Sequence, residues 1–154
     1  MDATTATITV ERQIEIAASP ETVWQLLTDP EEAVSWMGQT AWFDLRPGGE
    51  YRVAVIPGNV ARGEFVEIDP PRRLVFTWGW EPGGMSSVPP GSTTVEFELV
   101  PNGEGTLLRF IHRDLPNTSA EAHAHGWAHY LGRLAEAAAG GDPGADPWID
   151  GPDD

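Results

Sequence analysis

Residues 118–141 read TSAEAHAHGWAHYLGRLAEAAAGG, and this stretch decides what the rest of the chain must build. His123, Trp127, Tyr130, Leu131 and Leu134 recur three and four residues apart, the spacing that stacks side chains on one face of an α-helix. Thr118 and Glu121 supply a T-x-x-E capping box at its start. The Ala-rich residues 135–139 prolong it and Gly140-Gly141 end it. The predicted helix, 118–139, has one heavy apolar face and needs a partner surface to cover that face.

That surface is written upstream. Segments at about 41–46, 50–56, 60–69, 73–80, 93–100 and 105–113 are strand-like. Pro47-Gly48-Gly49, Pro57-Gly58-Asn59, Pro70-Pro71 and Pro101-Asn102-Gly103 mark turns between them, and short connections favour antiparallel hairpins. Ahead of these, Ile8, Val10, Ile14 and Ile16 alternate with Thr9, Glu11, Gln13 and Glu15, which predicts a half-buried strand with Arg12 on its apolar face. Ser19-Pro20 with Val23, Trp24 and Leu27 predicts a short helix at about 20–28. Asp29-Pro30 with Glu32 repeats the device for a second at about 30–36. The expected fold is α+β: a curved antiparallel sheet of seven strands around the long C-terminal helix, with two short helices after the first strand.

The chain has 154 residues, which suits one domain, expected over 1–139. Residues 140–154 form an acidic tail rich in Pro and Gly, expected to be disordered, with Trp148 and Ile149 as the pair able to dock. There is no Cys, which excludes disulfides, thiol catalysis and thiolate metal sites. All nine basic side chains are Arg, so Schiff-base and P-loop chemistry, which need Lys, are excluded too. A net charge of −15 repels phosphate backbones and anionic membrane surfaces, so no nucleic-acid partner is expected. No apolar run is long enough to span a membrane and the N-terminus does not read as a secretory signal, so the expected location is cytoplasmic.

The local motifs carry a resemblance. Residues 19–24 (SPETVW), 27–31 (LTDPE) and Trp36 are followed by 46–51 (RPGGEY), 63–71 (GEFVEIDPP) and 73–78 (RLVFTW). Gly105-Thr106, His112, Gly126-Trp127, Tyr130-Leu131 and Leu134 complete the series. In order and spacing, over about residues 8–138, the chain resembles the START-like, or SRPBCC, superfamily with its helix-grip fold, and within it the homologues of the activator of heat-shock protein 90 ATPase. The resemblance implies an elongated cavity between sheet and long helix that takes apolar or amphipathic small molecules. Some superfamily members are cyclases, dehydratases or hydrolases. The eukaryotic namesake stimulates a chaperone ATPase, aided by an additional N-terminal domain for which this chain is expected to have no room.

Seven Trp residues are a heavy load for this length. Trp78 and Trp80 share one strand face with Leu74 and Phe76, and Trp127 lies on the inner face of the long helix. Facing rings across a sheet–helix gap either line an apolar pocket or fill the core. His112 shares its strand face with Thr106, Leu108 and Phe110, and His123 begins the apolar helix face. The two imidazoles either orient a polar group at one end of a cavity or are satisfied core groups. Arg12 either anchors a polar head, pairs with a carboxylate such as Glu64, or sits exposed at a strand end. Glu64 and Glu67 are expected on opposite faces of their strand. His125 and His129, with Glu121, are spaced to share a helix face, which suits either a divalent cation or a solvated polar surface. Residues 81–92, with Gly83, Gly84, Met85 and Gly91, form a long loop suited to act either as a lid or as a plain connection.

No nucleophile elbow, dinucleotide fingerprint or phosphate loop is present. The expected function is binding of a small hydrophobic ligand by Arg12, Trp36, Trp78, Trp80, His112, His123 and Trp127, with no cofactor and no metal. An enzyme that uses His112, His123 and Arg12 on the same cavity is the competing reading, and a chaperone-interacting protein is the third. The oligomeric state, a homodimer included, is not set by the sequence.

Overall fold

The computed structural model of the chain describes residues 7–82, 88–144 and 146–148. The strand read at the N-terminus, β1 (Thr7–Ile16), pairs antiparallel with β7 (Gly105–Pro116), so the first and last strands lie side by side. Helices α1 (Pro20–Thr28) and α2 (Pro30–Ala33) carry the chain to the other edge of the sheet. There β2 (Thr40–Phe43) opens a meander through β3 (Glu50–Ile56), β4 (Asn59–Asp69), β5 (Arg73–Trp78) and β6 (Thr93–Asn102) back to β7. The sheet order is β1-β7-β6-β5-β4-β3-β2, antiparallel throughout. The long helix, α3 (Asn117–Ala138), packs on β1, β7 and α1. This is the expected α+β helix-grip arrangement.

The core lies between sheet and α3. Leu74, Phe76, Val95, Phe97, Leu99, Leu108 and Phe110 from the sheet are buried with Trp127, Tyr130, Leu131 and Leu134 of the helix. Ser19 accepts from the Thr22 N–H at the start of α1, and Asp29 from the Glu31 N–H at the start of α2, as their sequences predict. No helix among the described residues is long and apolar enough to cross a membrane.

Three local readings are corrected. The capping box at Thr118 does not form: β7 runs on to Pro116, α3 begins at Asn117, and Thr118 is already inside the first turn. α2 stops at Ala33 because the chain turns inward, and the Trp36 indole N–H donates to the Leu26 carbonyl at 2.8 Å. Glu64 and Glu67 do not lie on opposite faces. A bulge between Phe65 and Glu67 inserts Val66 into the ladder, and both carboxylates end up exposed.

Candidate functional site

Site geometry begins with the end of β5. A Cβ on Gly79 would lie 1.7 Å from the Pro89 carbonyl oxygen, so only glycine lets residues 88–90 approach this closely. The Trp80 N–H donates to the Val88 carbonyl at 2.7 Å, and Trp80 rejoins the sheet through a bridge to Ala61. Both ends of the expected lid loop are thereby held, and Val88 is fully buried. Its Gly83, Gly84 and Met85 lie outside the described residues.

Trp78 and Trp80 meet at right angles, ring centres 5.3 Å apart, and Trp78 lies 5.1 Å from Trp127 on α3. Each imidazole of the site is paired with one of these indoles. Trp127 Nε1–H donates to His112 Nδ1 at 2.9 Å. With Nδ1 accepting, the His112 proton sits on Nε2 and points to Thr93 Oγ1 at 2.8 Å, while the Thr93 hydroxyl donates to the Trp78 carbonyl at 2.7 Å. Trp80 Nε1–H likewise donates to His123 Nε2 at 3.0 Å, and His123 Nδ1–H donates to the Ser119 carbonyl one turn back at 2.9 Å. Both rings are therefore neutral and both lone pairs are occupied. Burial pushes His112 down to about 3, with His123, whose ring centre is 5.3 Å away, adding to the fall. Burial lowers His123 as well, against a hydrogen bond to Ser119 that favours its charged form.

A recess of about 460 Å³ opens between sheet and helix over these rings. Trp78, Trp80, His123 and Trp127 line it. So do Met37 from the turn after α2, Val55, Ile56 and Asn59 from β3 and β4, and Thr118, Ser119, Ala122, Gly126 and Tyr130 from α3. Trp148 from the C-terminal segment also lines it. Among the described residues, no Asp, Glu, Lys or Arg lines it.

The other candidate residues are elsewhere. His112 is fully buried behind Trp127. Trp36 is a core residue tied to α1 and does not line the recess. Arg12 is exposed at the edge strand, with Nη2 3.4 Å from the Ala124 carbonyl on α3, so the exposed alternative applies to it. Glu121 and His125 on this face of α3 are exposed, as the solvated-face alternative expects, and His129 is half-buried. Both imidazoles stack on Trp148, with ring centres 5.3 and 3.8 Å away. Trp148 is the lining residue that helix and strand periodicity could not find; its only signal is a large ring in an otherwise acidic tail.

Comparison with known proteins places the chain in a family and a fold. The profile of the family described as activator of Hsp90 ATPase homolog 1-like protein matches residues 17–139. An AHSA1-like protein of Rhizobium etli, solved by NMR, is 46% identical over 93% of this chain and 89% of its own, with a TM-score of 0.74. CalU16 of Micromonospora echinospora is 29% identical over 83% of this chain and 73% of its own, with a TM-score of 0.63. The Aha1 dimer of Colwellia psychrerythraea shares the fold at 22% identity, covering 85% of this chain and 96% of its own, with a TM-score of 0.71. No curated protein matches the chain.

Proposed function

The chain belongs to the family of activator of Hsp90 ATPase homolog 1-like proteins, and from that premise we propose that it binds a small, uncharged, largely apolar molecule in the recess between sheet and α3. The carrying observation is the lining: four indoles around about 460 Å³, with no Asp, Glu, Lys or Arg among the described lining side chains. That volume is in the range of small-molecule sites, and such sites combine apolar walls with a few polar groups. Here the polar groups are Asn59, Thr118, Ser119 and His123.

The two imidazoles favour binding over turnover. A general base needs a free lone pair within reach of substrate, and both His112 and His123 already accept from an indole N–H. Docking on a chaperone has less support. The exposed large apolar residues among those described are Ile8 on β1, at one edge of the sheet, and Trp42, Leu45 and Val66, in or near β2 and β4 toward the other.

Nile red, a neutral conjugated dye, tests the reading. Titrated into the intact protein, it should quench tryptophan fluorescence saturably and gain emission of its own. A linear, non-saturating response would remove the recess as a binding site.

A further inference from the structure

The family match ends at residue 139, yet one wall of the recess comes from beyond it. Arg133 on α3 turns the chain back: its Nη2 donates to the Gly144 carbonyl at 2.8 Å and its Nη1 to that of Pro143 at 3.3 Å. Asp146 then enters the protein and is only 4% exposed. Its Oδ2 accepts from the Tyr130 hydroxyl at 2.6 Å. Its Oδ1 lies 2.9 Å from His129 Nε2 and also takes the Trp148 N–H at 3.0 Å. A buried carboxylate is costly unless its acceptors are met, and here both oxygens are. These bonds lower Asp146 from its ordinary value although burial, the largest single influence, acts to raise it. The latch fixes the register of the next residues, and the Trp148 indole lies flat on His129, rings 15° apart, with Tyr130 edge-on to it.

A tail that merely needed anchoring would not require an indole at the recess. We infer that Trp148 is a ligand-contacting residue, a wall that the C-terminal segment adds to the family's domain and that selects flat, uncharged, conjugated molecules. Trp78, Trp80 and Trp127 offer π-surfaces from strand and helix, and Trp148 adds another from the tail. Asp146 is a positioning residue: it does not line the recess, but it holds the ring that does. The inference rests on the recess being a ligand site.

Stopped-flow binding of Nile red to the full-length protein and its variants tests it. Trp148→Ala should weaken binding about tenfold, mainly through faster dissociation, and Trp148→Phe should restore most of the loss. Asp146→Ala should act in the same direction as Trp148→Ala, although its own side chain is not in the recess. Both sites follow α3, so far-UV circular dichroism should be unchanged and misfolding is checked directly. Unchanged affinity and dissociation rate in Trp148→Ala and Asp146→Ala, with saturable binding to the intact chain, would overturn the role of Trp148 alone. No saturable binding to the intact chain would overturn the site reading and this inference with it.

Discussion

His112 cannot take up a proton at Nδ1 without giving up the hydrogen bond from Trp127, because a protonated imidazole has no lone pair there. In the unfolded chain it is free to charge near its ordinary value of 6.5, whereas in the fold it is pushed down to about 3. Between those values the unfolded state binds more protons, so stability should fall as pH falls through that window and be free of this penalty above it. The slope from His112 is about 1.4 kcal/mol per pH unit, and the lowered His123 adds in the same direction. Urea unfolding at pH 7 and pH 5 measures the drop. His112→Gln keeps a donor and an acceptor but does not titrate. It should start less stable and lose less on acidification. A variant with the parent's pH slope would show that the loss arises elsewhere.

Periodicity names an element more easily than it names that element's end. The apolar alternation of β7 and the spacing of Trp127, Tyr130, Leu131 and Leu134 were legible because both faces are buried against each other over many residues. The termini were not, because a neighbour decides them: Pro116 hands the chain straight from β7 to α3, and Trp36 ends α2 by reaching back to Leu26. The site divides the same way. Trp78, His123 and Trp127 sit on regular elements and converge, and Trp80, two residues past the end of β5, keeps the strand's alternation and joins them. Arg12 lies on the expected strand, but its exposure depends on β1 being a sheet edge. Gly79 is the clearest case of an element ended by a contact. Gly79→Ala would drive a Cβ into the Pro89 carbonyl oxygen, which must then move and drag Val88 from Trp80. The substitution should cost about 1–3 kcal/mol in urea unfolding, a range typical of strained backbone sites. It should also raise acrylamide quenching of tryptophan. Gly58→Ala is no equal control, since its φ of +81° adds its own strain. Gly126→Ala, where a Cβ meets nothing, should be neutral or stabilising. Equal stability of Gly79→Ala and the parent would show that residues 88–90 are not held as described.

At the scale of the whole molecule the dominant fact is charge. The chain carries −15 at pH 7, while no Asp, Glu, Lys or Arg among the described residues lines the recess. Much of the positive charge is engaged in ion pairs: Arg52 and Arg62 pair with Glu81, Arg73 bridges Glu67 and the buried Glu96, and Arg113 pairs with Glu96. An anionic ligand therefore meets a repulsive long-range field on approach and no cation in the lining on arrival. The same carbon skeleton without its charge pays neither cost. An uncharged long-chain alcohol and the carboxylate of equal length, competed separately against Nile red at pH 7, isolate the effect. The alcohol should displace the dye at about tenfold lower concentration or better, a difference of about 1.4 kcal/mol. Added salt should narrow the gap by screening the field, without changing the alcohol's affinity in proportion. At pH 4, nearer the sequence pI of about 4.4 and with the fatty acid partly protonated, the gap should close further. A carboxylate that bound as tightly as the alcohol at pH 7 and low salt would require a cation at the recess. It would point first to Arg12, reaching over from the sheet edge to the Ala124 carbonyl of α3, as the group to mutate.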